Sequence, residues 1–166
     1  MIGLIDSQNG NTNNTTVVQR LARAIMLSDG EFSLLLACCN SVEKQEQILS
    51  VLKEFLTVNI KNVTLSPKVE TLYTNVVCAL GPIQPEALVV RGLESVEAIN
   101  QLIISTNLMR DEFAKQFKFP LVLFVNEEIL RKLVWLAPDL KDWAASTFRF
   151  ETSSDPRVSE LLAGSK

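Results

Sequence analysis

Apolar runs of strand length alternate along the chain with segments in which apolar residues recur every three or four positions. The runs at 32–39 and 120–125 are almost continuously apolar. Such runs are typical of central parallel strands that are covered on both faces. Together with shorter segments they predict five strands, at 32–39, 60–65, 87–90, 120–125 and 148–150.

Helices are predicted between these strands, because the apolar positions there repeat with the period of a helix that buries one face. Thr15 and Thr16 precede the first helix and Asn40 and Ser41 precede the second, as capping residues do. Gly81, followed by a proline, ends the third. Further helices are expected at 95–117 with a break near 105–107, at 129–136, at 140–145 and at 156–163.

The order of these elements predicts the fold class. Strands that alternate with helices favour a parallel sheet with right-handed connections, so we expect a three-layer α/β/α sandwich with about five mainly parallel strands. The polar segment 7–16, rich in asparagine and threonine, predicts a flexible N-terminal arm over residues 1–14. A single domain is expected over 15–166.

Ligands on such sheets bind at the carboxyl ends of the strands, and the loop after the first strand can be tested for a phosphate cradle. Lys44 occupies the lysine position, but both glycines are missing and Gln45 replaces the hydroxyl that binds magnesium. Asn40, Ser41 and Lys44, with Asn126 at the end of the fourth strand, remain candidates for weak nucleotide binding. Helix capping is the alternative role of Asn126.

Composition excludes several kinds of chemistry. The 166 residues contain no histidine, which removes Ser-His-Asp and Cys-His catalysis and histidine-containing zinc sites. The 16 basic and 19 acidic residues give a net charge of −3, which argues against a dedicated nucleic-acid binder. Because the sequence shows neither a signal peptide nor an apolar run long enough to span a bilayer, we expect a cytoplasmic protein that does not bind membranes.

No catalytic or metal-binding set is recognised among the remaining polar residues. Cys38, Cys39 and Cys78 lack the spacing of a metal site and are expected to be buried thiols. Glu94 follows the third strand, where an NTPase carries acidic residues, but it is better explained as a first-turn residue favoured by the helix dipole. Trp135, Leu136 and Trp143 are either core residues or exposed anchors for a protein partner.

Several segments together resemble a known module. They are the helix at 15–28, the strand at 32–39, GLESV at 92–96, PLVLFVNEEIL at 120–130 and WLAPDLKDWAASTFRFE at 135–151. The sequence resembles the N-terminal P-loop-like domain of large cyanobacterial multidomain proteins, which precedes tetratricopeptide, WD40 or similar repeats. That domain is itself similar to the ATPase domain of signal-transduction NTPases of the STAND class.

The resemblance implies a degenerate P-loop-NTPase-like fold without the family's catalytic residues. CNSVEKQ at 39–45 stands where the nucleotide cradle would be, and GLES at 92–95 where the magnesium-binding acids would be. The implied function is a non-enzymatic regulatory domain of a signalling or scaffolding protein, which binds a protein partner or self-associates and needs no cofactor. A domain that binds ATP or ADP weakly without hydrolysis is the alternative, and an enzyme of unrelated chemistry ranks last.

Overall fold

The computed structural model describes residues 2–152, with their side chains from Asn14 onward. In chain order the elements are α1 (Ile2–Leu27), β1 (Ser33–Cys38), α2 (Val42–Phe55), β2 (Ile60–Thr64), α3 (Leu72–Leu80), β3 (Ala87–Arg91), a 3-10 turn (Leu93–Ser95), α4 (Ile99–Leu108), α5 (Arg110–Gln116), β4 (Pro120–Val125), α6 (Glu127–Leu136), α7 (Pro138–Trp143) and β5 (Ala144–Arg149).

The five strands form one parallel sheet in the order β2-β3-β4-β1-β5. The chain leaves β1 towards one edge of this sheet and leaves β4 towards the other. The direction of winding therefore reverses between β1 and β4, and the loops after these two strands lie at the switch point where such folds bind ligands. The predicted three-layer α/β/α fold with five parallel strands is confirmed.

The core has two halves, one on each face of the sheet, because alternate residues of a strand point to opposite faces. Leu34 and Leu36 of β1 pack with α3–α7 on one face. Leu35 and Ala37 pack with α1 and α2 on the other. This double coverage explains the apolar run in β1, since burying one such leucine stabilises the fold by about 2 kcal/mol.

The break in the predicted helix at 95–117 lies later than expected. The sequence placed it near 105–107, whereas α4 continues to Leu108 and α5 begins after Met109. Ser105 and Thr106 lie inside the helix, and their hydroxyls donate to the carbonyl oxygen of Leu102 at 3.0 and 2.7 Å. Such back-bonding lets a serine or threonine occupy a helix interior.

Strand β5 begins four residues earlier than predicted. The sequence indicated a helix at 140–145 and a strand only at 148–150, but α7 ends at Trp143 and β5 starts at Ala144. The residues from Ala144 onward pair with β1, from Leu34 to Cys38, with an irregularity after Leu34. Backbone pairing with a central strand therefore decides the conformation of a segment whose own side chains favour neither structure.

A pair of hydrogen bonds ties the middle of α1 to the residues that follow β5. Asn14 Nδ2 donates to the carbonyl oxygen of Glu151 at 2.9 Å, and the Glu151 N–H donates to Asn14 Oδ1 at 2.8 Å. Helix α1 begins at Ile2, although the sequence placed the start of this helix at Thr15. The flexibility of residues 1–14 stays a prediction, and the helix predicted at 156–163 lies outside the described residues.

No helix within residues 2–152 is both long enough and apolar enough to cross a bilayer.

Candidate functional site

The loop between β1 and α2 is short. Cys39 still belongs to the ladder, because its N–H donates to the carbonyl oxygen of Val125 at 2.8 Å. Only Asn40 and Ser41 then remain before α2 begins at Val42. A phosphate cradle needs a longer glycine-rich loop whose consecutive N–H groups surround the phosphates. The shortness of this loop, like the absence of the two glycines from its sequence, therefore argues against a phosphate cradle here.

The structure brings Asn40, Ser41 and Asn126 to the switch point, and each accepts a backbone hydrogen bond there. Asn126 Oδ1 caps α6 by accepting from the Ile129 N–H at 2.8 Å, and Asn40 Oδ1 accepts from the Glu127 N–H at 2.9 Å. Ser41 Oγ caps α2 by accepting from the Lys44 N–H at 3.1 Å. A helix cap of this kind contributes about 1 kcal/mol to stability.

Lys44, the fourth predicted nucleotide-binding residue, differs from the other three. It makes no ion pair or side-chain hydrogen bond with any residue from Asn14 to Thr152. With Asn14, Thr15 and Gln47 it lines a groove of about 210 Å³ between α1 and α2. The aliphatic part of this groove is formed by Val18, Ile48 and Val51.

The adjacent cysteines at the end of β1 are buried thiols. Burial, together with a 3.4 Å hydrogen bond from Cys38 Sγ to Glu127 Oε2, raises the pKa of Cys38 to about 12. Burial also raises the pKa of Cys39, against a smaller opposing effect of Lys44. Because the thiolate is the reactive form, both residues are poor nucleophiles at neutral pH. Cys78 is exposed, so the prediction of a buried thiol is wrong at that position.

A buried arginine lies at the end of β3, at the position where an NTPase would carry its acids. The Arg91 side chain is only 7% exposed, and its Nη1 lies 2.8 Å from Glu46 Oε2. Arg91 Nε donates to Gln45 Oε1 at 3.3 Å, and Gln45 Nε2 donates in turn to the Cys39 carbonyl oxygen at 3.3 Å. This network fixes α2 to the tips of β1 and β3. No sequence pattern predicts this network, because Gln45 and Glu46 resemble ordinary residues of a helix surface.

The turn after β3 carries Glu94 next to this network. Gly92 has a φ of 93°, and a Cβ there would lie 2.8 Å from the Leu65 carbonyl oxygen, so the close approach of the turn requires glycine. Glu94 Oε1 is buried and has no hydrogen-bond partner among the residues that the structure describes. Its charge makes a small contribution to the raised pKa of Cys39, which is caused chiefly by burial. Within the same residues no three potential ligands are grouped for a metal ion.

The three residues proposed as interaction anchors have different surroundings. Trp135 is 82% exposed. Leu136 is half-buried and packs against the core. Trp143 is 37% exposed, with its ring centroid 6.4 Å from that of Phe32 and 5.7 Å from Arg110 Cζ. Trp135 is therefore the most exposed of the three, and Trp143 is partly exposed.

Comparison with known proteins yields similarities to solved structures alone. No protein-family model and no curated protein matches the sequence. The chain is similar to the RuvB Holliday junction branch migration motor of Thermotoga maritima, with 15% identity, a TM-score of 0.46, and coverage of 90% of this chain and 51% of that one. A RuvB mutant from the same organism is similar with 16% identity, a TM-score of 0.45, and coverage of 96% and 51%.

The chain thus spans about half the length of the solved structures that it matches. At these values the similarity assigns no residue and no activity to this chain. The STAND relationship and the cyanobacterial multidomain context stay predictions of the sequence.

Proposed function

We propose that this chain is a non-catalytic protein-interaction domain with a regulatory role in a signalling or scaffolding protein. The observation that carries the proposal is the exposure of large apolar side chains on neighbouring helices. Trp135 of α6 and Leu108 of α4 are 82% and 77% exposed, and Ile104 of α4 is also exposed. We call these three residues the α4–α6 surface.

The two helices lie side by side, so these exposed residues belong to one face of the domain. Lys132 Nζ of α6 donates to Asn100 Oδ1 of α4 at 2.8 Å. Trp135 follows Lys132 by three positions and Ile104 follows Asn100 by four, which places each on the same side of its helix as the bonded residue. Single exposed apolar residues are common, but a group that includes a tryptophan is typical of a protein interface.

The polar groups at the switch point support the non-catalytic part of the proposal. The side-chain oxygens of Asn40, Ser41 and Asn126 are used to hold the starts of α2 and α6. Arg91 occupies the end of β3 and is paired with Glu46. These contacts stabilise the fold at the place where an NTPase would bind its substrate.

Site-specific photo-crosslinking tests the proposal. A photoreactive phenylalanine analogue replaces Trp135 in the full chain, expressed in its native host. Ile83 is the matched control position, because it is 78% exposed and lies in the turn before β3. We expect a discrete adduct at Trp135, with a partner or with a second copy, and none at Ile83. Equal labelling at both positions, or none at either, would contradict an interface at the α4–α6 surface.

Weak nucleotide binding without hydrolysis is the second candidate function, and the surroundings of Lys44 favour it. The Lys44 side chain has no ion pair among the residues from Asn14 to Thr152 and lines the 210 Å³ groove between α1 and α2. Thermal unfolding with ATP and ADP, with and without magnesium, is the test. A ligand at 100 times its dissociation constant adds about 2.7 kcal/mol to the free energy of unfolding. The shift should vanish in Lys44→Ala and persist in Lys53→Ala, and no shift with either nucleotide would dismiss this candidate.

A further inference from the structure

A second feature of the surface is a groove beside α6, on the side that faces the edge strand β5. A groove of about 230 Å³ lies between α6, α7 and β5. Leu130 and Val134 supply its apolar part, and Arg131, Lys141 and Arg149 supply three cations. We call it the α6–β5 groove.

The groove carries an excess of positive charge in a chain whose net charge is −3. Among its described lining residues the one carboxylate, that of Glu127, already lies 3.2 Å from Arg149 Nε and accepts the thiol hydrogen bond of Cys38. Arg131 and Lys141 form no ion pair with any other residue in the described part of the chain. As far as residues 14–152 are concerned, these two cations are therefore available to the carboxylates of a partner.

The backbone of β5 borders the same groove and has a free side. Within residues 2–152 this strand is at the edge of the sheet and pairs with β1 only. The Phe150 N–H donates to the Cys38 carbonyl oxygen at 2.9 Å, so Phe150 and Phe148 direct their backbone groups to β1. Successive residues of such a strand direct their N–H and C=O groups to opposite sides, so the backbone groups of Thr147 and Arg149 point away from β1. Such an edge can accept an added strand.

We infer that the α6–β5 groove binds an acidic, extended segment of another protein, which pairs with the outer edge of β5 and places its carboxylates against Arg131, Lys141 and Arg149. The inference rests on the proposed interaction function and names the class of partner. Val134, which lines the groove, directly precedes Trp135, so a bound segment can continue onto the α4–α6 surface.

A peptide fits the groove better than a nucleic acid does. The aliphatic side chains of Leu130 and Val134 and the strand edge match the side chains and backbone of an extended peptide. A nucleic acid is held chiefly by many cation–phosphate contacts, for which this groove offers few partners.

Fluorescence anisotropy with the full chain tests the inference. The probe is a labelled eight-residue peptide of alternating glutamate and valine, and the comparison peptide has lysine in place of glutamate. We expect saturable binding of the acidic peptide, weakened by added salt, and at least tenfold weaker binding of the basic one. The Arg131→Glu/Lys141→Glu variant should lose at least about tenfold in affinity for the acidic peptide, because two attractions become repulsions.

The matched control is Arg20→Glu/Arg23→Glu, which changes the net charge equally on the exposed face of α1. Its affinity should stay within about twofold of the unchanged chain. An acidic peptide with N-methyl groups on alternate backbone nitrogens tests strand addition without altering the protein, and it should also bind at least about tenfold more weakly. Circular dichroism of both variants excludes unfolding as the cause.

Several results would overturn the inference. They are no saturable binding of the acidic peptide, equal binding of the basic peptide, equal losses in the two charge-reversal variants, and undiminished binding of the N-methylated peptide. Tighter binding of an oligothymidylate that depends on Arg131 and Lys141 would assign the groove to nucleic acid instead. A change in the monomer–dimer equilibrium of the groove variant would assign it to a second copy of the chain. Crosslinking at Trp135 without peptide binding would leave the proposed function standing and refute the partner class alone.

Discussion

The ion pair between Glu46 and Arg91 leads to a prediction about a residue that looks dispensable. The Glu46 side chain is 66% exposed, whereas that of Arg91 is 7% exposed. Glu46→Ala therefore removes a surface carboxylate but leaves a buried guanidinium with Gln45 Oε1 as its remaining described acceptor. Breaking a buried pair by removing one partner costs about 3 to 5 kcal/mol, and we expect the lower end because Glu46 is open to water.

The assay is urea and thermal unfolding of the full chain. A loss of about 3 kcal/mol in a chain of this size corresponds to a fall in Tm of about 6 to 12 °C. Glu54→Ala is the matched control, because Glu54 is an exposed acid of the same helix without an ion pair among the described residues, and its effect should stay within about 0.5 kcal/mol.

A double variant separates this explanation from a general change in α2. Arg91→Met in the Glu46→Ala background removes the unpaired buried charge, so the double variant should be more stable than Glu46→Ala alone. If Glu46→Ala and Glu54→Ala unfold at the same urea concentration, the reasoning about Arg91 is refuted.

Three further predictions follow from the turn and the cysteines. Gly92→Ala should lower the free energy of unfolding by more than about 3 kcal/mol, because its φ is 93° and its Cβ would meet Leu65 backbone atoms; Gly30→Ala, with open space around it, should cost only about 1 kcal/mol. The raised pKa of Cys38 means that the unfolded chain loses this proton first, so stability should fall as pH rises from about 9 towards 12, and less steeply in Cys38→Ala. A thiol reagent should label Cys78 in the native chain and the buried cysteines only after unfolding, as peptide mass mapping would show.

The central sheet could be predicted from the sequence because its strands are covered on both faces. The run at 120–125 coincides with β4, all of whose residues are buried. β5 could not be predicted in the same way, because Ala145 and Ser146 are exposed and polar or small. Their conformation follows from pairing with β1, which is a contact between distant parts of the chain.

The candidate sites show the same division between local and distant contacts. Ser41 and Asn126 could be predicted as helix caps, because a cap binds residues three positions away. The hydrogen bond from Glu127 to Asn40 joins residues 87 positions apart, and no local sequence pattern predicts it. The cations of the α6–β5 groove come from three elements, so their convergence depends on how α6, α7 and β5 pack.

The paired hydrogen bonds between Asn14 and Glu151 have a mechanical consequence. They hold together two points of the chain that are 137 positions apart, one in the middle of α1 and the other just after β5. A tensile load applied between α1 and the chain after β5 would therefore act on these two hydrogen bonds.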